Sequence, residues 1–134
     1  MIEIWLPFPR GLSVNGARRA SRQTRTGHEA ADRGEAREIC ARLLGPSTVA
    51  EFAGEFDLEC WVTVYPPDAR KRDVWNVPFA MKAAMDGVCE ALGINDIRLN
   101  PAHFSRGEVG KRGPGGLPGA VRVVIERHSE IHST

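Results

Sequence analysis

The spacing of apolar and polar positions predicts six elements. Residues 2–6 (IEIWL) read as a short strand, ended by Pro7 and Pro9. Residues 10–28 are basic and polar, with Gly11, Gly16 and Gly27, and read as a long loop. A loop of that length in a small domain is usually functional or mobile. Residues 29–44 read as an amphipathic helix with an apolar stripe of Ala36, Ile39, Cys40, Leu43 and Leu44, stopped by Gly45 and Pro46. Its opposite face offers Glu29 to Arg33 and Glu38 to Arg42 as acid-first pairs four residues apart. Residues 55–65 are the clearest strand. There Phe56, Leu58, Cys60, Val62 and Val64 alternate with more polar or aromatic positions.

Residues 76–92 read as a second helix, with Val77, Met81, Ala84, Met85, Val88 and Leu92 as its core stripe. Pro78 is tolerated in the first turn and Gly93 is a natural stop. Residues 97–106 and 119–127 read as strands joined by a glycine-rich stretch, expected as the flexible tip of a long hairpin. The order β-α-β-α-β-β describes an α+β fold, a two-layer domain with two main helices against a mixed sheet. Residues 1–128 form one domain in this reading, and 129–134 a frayed tail.

The bulk numbers exclude some classes. A chain of 134 residues suits one domain. At 42% hydrophobic and 26% charged it has an ordinary globular profile. No apolar run approaches the roughly 20 residues of a membrane span, and the first residues lack the pattern of a signal peptide. Cys40, Cys60 and Cys89 are far apart, odd in number and set among apolar residues, so they read as reduced core thiols in a cytoplasmic protein.

The net charge of +1 is unremarkable, but its distribution is not. Arg10, Arg18, Arg19, Arg22 and Arg25 fall in a stretch without a single acid. Arg70, Lys71 and Arg72 form a second cluster, and Arg106, Lys111 and Arg112 a third. Clusters of this kind can build a phosphate-binding face on a nearly neutral protein; solvated surface arginines are the plainer explanation.

The chemistry-bearing stretch is residues 70–87, RKRDVWNVPFAMKAAMDG, followed by Asn95 and Asp96. Lys82 and Asp86 share one helix face. Asp73 and Asn76 stand at the helix entrance, and Asp96 just past its far end. Phosphodiester hydrolysis needs hard oxygen ligands for Mg²⁺ and a cation for charge developing on phosphate. Carboxylates and a lysine on one surface meet that need. On spacing alone, Asp73 or Asn76 suits a helix cap equally well, and Lys82 with Asp86 an ordinary surface pair.

This stretch resembles the signature of RusA-type Holliday junction resolvases. In that family a basic run leads into Asp-x-Asp-Asn, then a helix bearing Lys and, four residues later, Asp, with an acidic pair after the helix. Residues 6–15, LPFPRGLSVN, are similar to the family's Leu-Pro-x-Pro-Pro-Ser-x-Asn opening. The resemblance covers most of the chain in the right order. It implies a homodimeric, Mg²⁺-dependent endonuclease, with Mn²⁺ as a substitute, acting on four-way or branched DNA. It makes Asp73 and Asp96 catalytic metal ligands with Asp86 beside them, and Lys82 the catalytic lysine. Asn76, Trp75, Ser13 and Asn15 would line the site, and the first two basic clusters, with Lys111 and Arg112 of the third, would bind DNA. Two departures stand out. Trp75 occupies the position of the second aspartate. Asn76 and Lys82 are six residues apart instead of the commoner three, although one extra turn of about 3.6 residues nearly preserves the face. The missing carboxylate leaves Asp86, Asp68 or water to compensate, or activity reduced.

The rival expectations are a branched-DNA binding protein with weak or no cleavage, and a structural or partner-binding domain whose basic loops meet an acidic protein. His128 and His132 have helical spacing but sit in the expected tail. His28 and His103 have no partner visible in the sequence. Residues 110–116 (GKRGPGG) lack the spacing of a P-loop. Trp5, Trp61 and Trp75 suit base stacking, although tryptophan more often packs partly buried.

Overall fold

The computed structural model describes residues 1–10, 22–69 and 76–128, with the side chains of 22–25 and 76 excepted. The elements are β1 (Ile2–Leu6), α1 (Arg22–Leu43), α2 (Pro46–Glu51), β2 (Leu58–Tyr65), α3 (Asn76–Leu92), β3 (Leu99–Arg106) and β4 (Ala120–Arg127). Short 3₁₀ turns lie at Asp96–Arg98 and Pro114–Gly116. The fold is α+β, as expected, with one four-stranded mixed sheet in the order β1-β4-β2-β3. β4 is antiparallel to both β1 and β2, and β2 is parallel to β3.

That order corrects the expected hairpin, because β3 and β4 do not pair: β2 lies between them. The residues explain the choice. β4 reads AVRVVIER, and Val121, Val123, Val124 and Ile125 are all buried, so this strand is apolar on both faces and takes the centre. β3 reads LNPAHFSR, is exposed along most of its length and carries Pro101, which cannot donate to a ladder. Such a strand belongs at an edge.

Boundaries differ as well, among them the start of β3, which is Leu99 instead of Ile97 because Asp96–Arg98 form a 3₁₀ turn. α1 begins at Arg22, so residues 22–28 of the expected loop are helical, while 11–21 lie outside the described residues. Gly27 lowers helix propensity by about 1 kcal/mol but does not forbid a helix. Gly45 and Pro46 end α1 and also start α2, because proline fits the first helical turn. β2 starts at Leu58 instead of Glu55. α3 spans residues 76–92 as expected, and every residue of its expected stripe is buried.

One core joins the inward faces of three strands to the helices. Ile4, Leu6, Leu58, Val62, Val123 and Ile125 pack with Met81, Ala84 and Val88 of α3 and with Ala36 and Cys40 of α1. Leu43, expected in the α1 stripe, is instead exposed. The three cysteines are buried and free. Burial pushes the Cys40 thiol up to about 11, and those of Cys60 and Cys89 to about 12. No described helix is long and apolar enough to cross a membrane.

Candidate functional site

The site is built by α3 and the turn that follows it. With its apolar stripe facing the sheet, α3 turns Lys82 and Asp86 outward, one helical turn apart. Gly93 ends the helix at φ +69°, a conformation glycine adopts without a Cβ penalty. The Ile94 N–H then bonds to the Cys89 carbonyl at 3.0 Å, reversing the chain. The Asn95 side chain accepts from the Ile97 N–H at 3.1 Å and caps the 3₁₀ turn that carries Asp96.

The reversal brings Asp96 back to Lys82. The Lys82 ammonium donates to Asp86 Oδ1 and to Asp96 Oδ2, both at 2.8 Å. Asp86 holds the ammonium firmly protonated, with Asp96 second, and Lys82 in turn holds the Asp96 carboxyl below its ordinary range. Side-chain exposure is 62% for Lys82, 31% for Asp86 and 49% for Asp96. Ion pairs this exposed contribute at most about 1 kcal/mol to stability, so core packing, not this cluster, holds the fold. Two carboxylates converging on one cation form a hard-oxygen site of −2 before Lys82 is counted, the type of donor set that Mg²⁺ prefers.

Lys82 and Asp86 open onto a groove of about 520 Å³ between α1 and α3, which also includes Arg33, Arg37, Phe79 and Glu90. Gly87 lets α1 and α3 approach closely beside the groove. A Cβ there would stand 2.2 Å from the Arg33 carbonyl oxygen and 3.0 Å from the Arg37 nitrogen, so the two helix backbones touch at this residue. Phe79 is 71% exposed at the groove's side.

Of the other residues expected at the site, Asp73, Trp75, Ser13, Asn15, Arg18, Arg19, Arg70, Lys71 and Arg72 lie outside the described residues. Asn76 is the first residue of α3, and Arg22 and Arg25 lie in the first turns of α1. Arg10 forms ion pairs with Asp32 at 2.5 Å and Glu35 at 2.9 Å, tying the chain after β1 to α1. Lys111 lies over the rings of Trp5 and Tyr65, on the sheet face turned away from the core. Arg112 donates to the Gly116 carbonyl at 2.7 Å. Of the third basic cluster, Arg112 is therefore engaged within its own loop and Lys111 on that outer face.

Two clusters had no signal in the linear sequence. His103 and His128, without visible partners there, both reach Glu59, at 2.7 and 3.2 Å, and His103 stacks on Trp61. Arg33 and Arg37 both reach Glu90 across the α1–α3 contact. Only strand and helix pairing brings these residues together. Among the described residues no group of three or more His, Cys, Asp or Glu side chains is suited to hold a metal ion, which leaves Asp86 and Asp96 as a pair. No family model matches the chain, and no curated protein does.

Proposed function

We propose that this chain is a magnesium-dependent endonuclease of RusA type that binds four-way DNA junctions and nicks paired strands. The observation that carries the reading is the Lys82 ammonium held between Asp86 and Asp96 at 2.8 Å each. These are the lysine and two of the three carboxylates that the resemblance selects, and they are brought together by a chain reversal that spacing does not reveal. The ammonium between the carboxylates is itself a cation, which supports their fitness for another. Asp96 and Asp86, with Asp73, would hold Mg²⁺, and Mn²⁺ could replace it. When bound, the ion supplies Lewis-acid stabilisation and a water of lowered pKa.

The chain's own residues do the rest. Lys82 stays charged through the neutral range and stabilises the negative charge that develops on the transferring phosphate or its leaving oxygen. Asp96 stays ionised in the same range, so the site keeps its negative charge at neutral pH. The groove beside Lys82 is where a DNA strand would approach. Paired incision requires two related sites, which a two-fold homodimer provides. The three buried thiols suit the reducing cytoplasm.

The test is nicking of a synthetic four-way junction and of linear duplex, each with Mg²⁺ and with EDTA. Junction-selective, Mg²⁺-dependent nicking is the expected result. Asp73→Asn should remove nicking and leave gel-shift binding largely intact, because the amide keeps the shape but loses the charge. Wild-type nicking in that variant would leave Asp73 a helix cap. Junction binding without nicking in the native protein would instead favour a branched-DNA binding protein, the reading that Trp75 at an aspartate position supports.

A further inference from the structure

We infer that Arg33 and Arg37 on α1 form a grip for the DNA phosphodiester backbone, with Glu90 of α3 holding their place until DNA arrives. The inference rests on the nuclease reading above for its ligand, and extends it to a wall of the groove that no motif singles out. Arg33 and Arg37 are one helical turn apart and face the same way. They line the groove that Lys82 and Asp86 open onto. The contact of Gly87 with the Arg33 carbonyl fixes the register of the two helices, so both arginines are set beside the Lys82 site.

Their electrostatics suit exchange. Glu90 takes an Nη2 hydrogen bond from Arg33 and lies 3.5 Å from Arg37 Nη1. Each guanidinium has five N–H donors in a planar fork, so one carboxylate leaves most of them for other partners. The arginine side chains are 55% and 65% exposed, and ion pairs this exposed contribute little to stability. A phosphate can therefore take over from Glu90 without unpacking the core. Planar forks bind phosphate oxygens bidentately, which an ammonium cannot do. Two forks on residues about 6 Å apart along a helix suit neighbouring phosphates of a strand whose scissile phosphate lies at Lys82. The groove's carboxylates, Glu29, Asp86 and Glu90, balance Arg33, Arg37 and Lys82, so removing Glu90 alone tips it positive.

The experiment is salt-dependent binding of a four-way junction, read by fluorescence anisotropy in EDTA, with nicking measured separately in Mg²⁺ at saturating DNA. The double variant Arg33→Gln, Arg37→Gln should bind roughly tenfold or more weakly. Its slope of log K against log salt should be shallower by about 1.8, two phosphates at about 0.9 each. Glu90→Gln should move the other way and bind several-fold more tightly at low salt. Unchanged affinity and slope in the double variant would overturn the grip. So would weaker binding in Glu90→Gln, since arginines that only tie α1 to α3 would lose order whichever partner is removed. A native protein that binds junctions but does not nick them would sink the nuclease reading while leaving the grip testable by these variants. A native protein that binds no DNA would sink both.

Discussion

Helix α3 has two faces that answer to different physics. On one, Val77, Met81, Ala84, Met85, Val88 and Leu92 are buried and share a core with the sheet. On the other, Phe79, Lys82, Asp86 and Glu90 meet solvent in the groove beside α1. The inner face is stabilised by area removed from water, at roughly 25 cal/mol per Å². The outer face carries exposed ion pairs that contribute little. A residue's side of the helix should therefore decide whether its loss damages folding or function, and neighbouring positions should behave oppositely.

Met81 and Lys82 are adjacent in sequence and give the sharpest contrast. Met81 is 1% exposed, so Met81→Ala should destabilise by about 2–5 kcal/mol, through lost transfer energy and a residual cavity. Lys82→Met should change stability by no more than about 1 kcal/mol, yet it should abolish nicking. Urea unfolding of both variants, beside the junction assay, measures the pair. Equal destabilisation would mean that the Lys82 cluster is structural after all.

Gly87 lies where the two faces meet. In Gly87→Ala the new Cβ has to displace the α1 backbone, because the Arg33 carbonyl oxygen stands 2.2 Å away. Overpacking of this kind costs about 1–3 kcal/mol. The separation also moves Arg33 and Arg37 away from Lys82, so junction binding should weaken along with the melting temperature. A lower melting temperature with unchanged binding would separate the helix contact from the groove.

The inner face was far more legible in the sequence than the outer. Apolar periodicity is a local signal, and it placed α3 and its whole core stripe, along with β1 and the inward residues of β2. The strand order needed a non-local fact, that β4 is buried on both sides while β3 is not. The apolar run of β4 and Pro101 in β3 carried that information, but a glycine-rich linker between them resembles a hairpin turn. At the site, the spacing of Lys82 and Asp86 was legible. The return of Asp96 depends on the turn at Gly93 and the cap at Asn95. Arg33 pairs with Glu90 and not with Glu29, because Gly87 lets the helices approach closely enough for the cross-helix partner.

A smaller effect should appear in acid. Lys82 lowers the Asp96 carboxyl from its usual 3.8. A carboxylate lowered in the folded state adds stability that is fully present above its unfolded pKa and lost as pH falls through the lowered folded value. The small stability difference between the native protein and Lys82→Met should therefore be constant from neutral pH down to about 4 and vanish below that. Carboxyl-carbon NMR should show Asp96 titrating below 3.8 in the native protein and moving back up in Lys82→Met. An unmoved Asp96 would mean that the ion pair does not persist in solution.

The smallest effect is also the one that best tells a catalytic lysine from a charge balancer. In the structure the Lys82 ammonium lies between the carboxylates of Asp86 and Asp96, where it competes with any other cation for the same oxygens. Removing it raises the local negative charge by one while keeping both carboxylates. Lys82→Met should therefore bind Mg²⁺ a few-fold more tightly, measured by calorimetry without DNA, although it no longer nicks. Screening by solvent at this exposed site keeps the gain small. Tighter metal binding joined to lost nicking separates two roles of one side chain: it opposes the metal in the resting protein and assists the phosphate during reaction. Unchanged Mg²⁺ affinity would mean that metal and ammonium do not share these oxygens, and that the ion is held chiefly through Asp73.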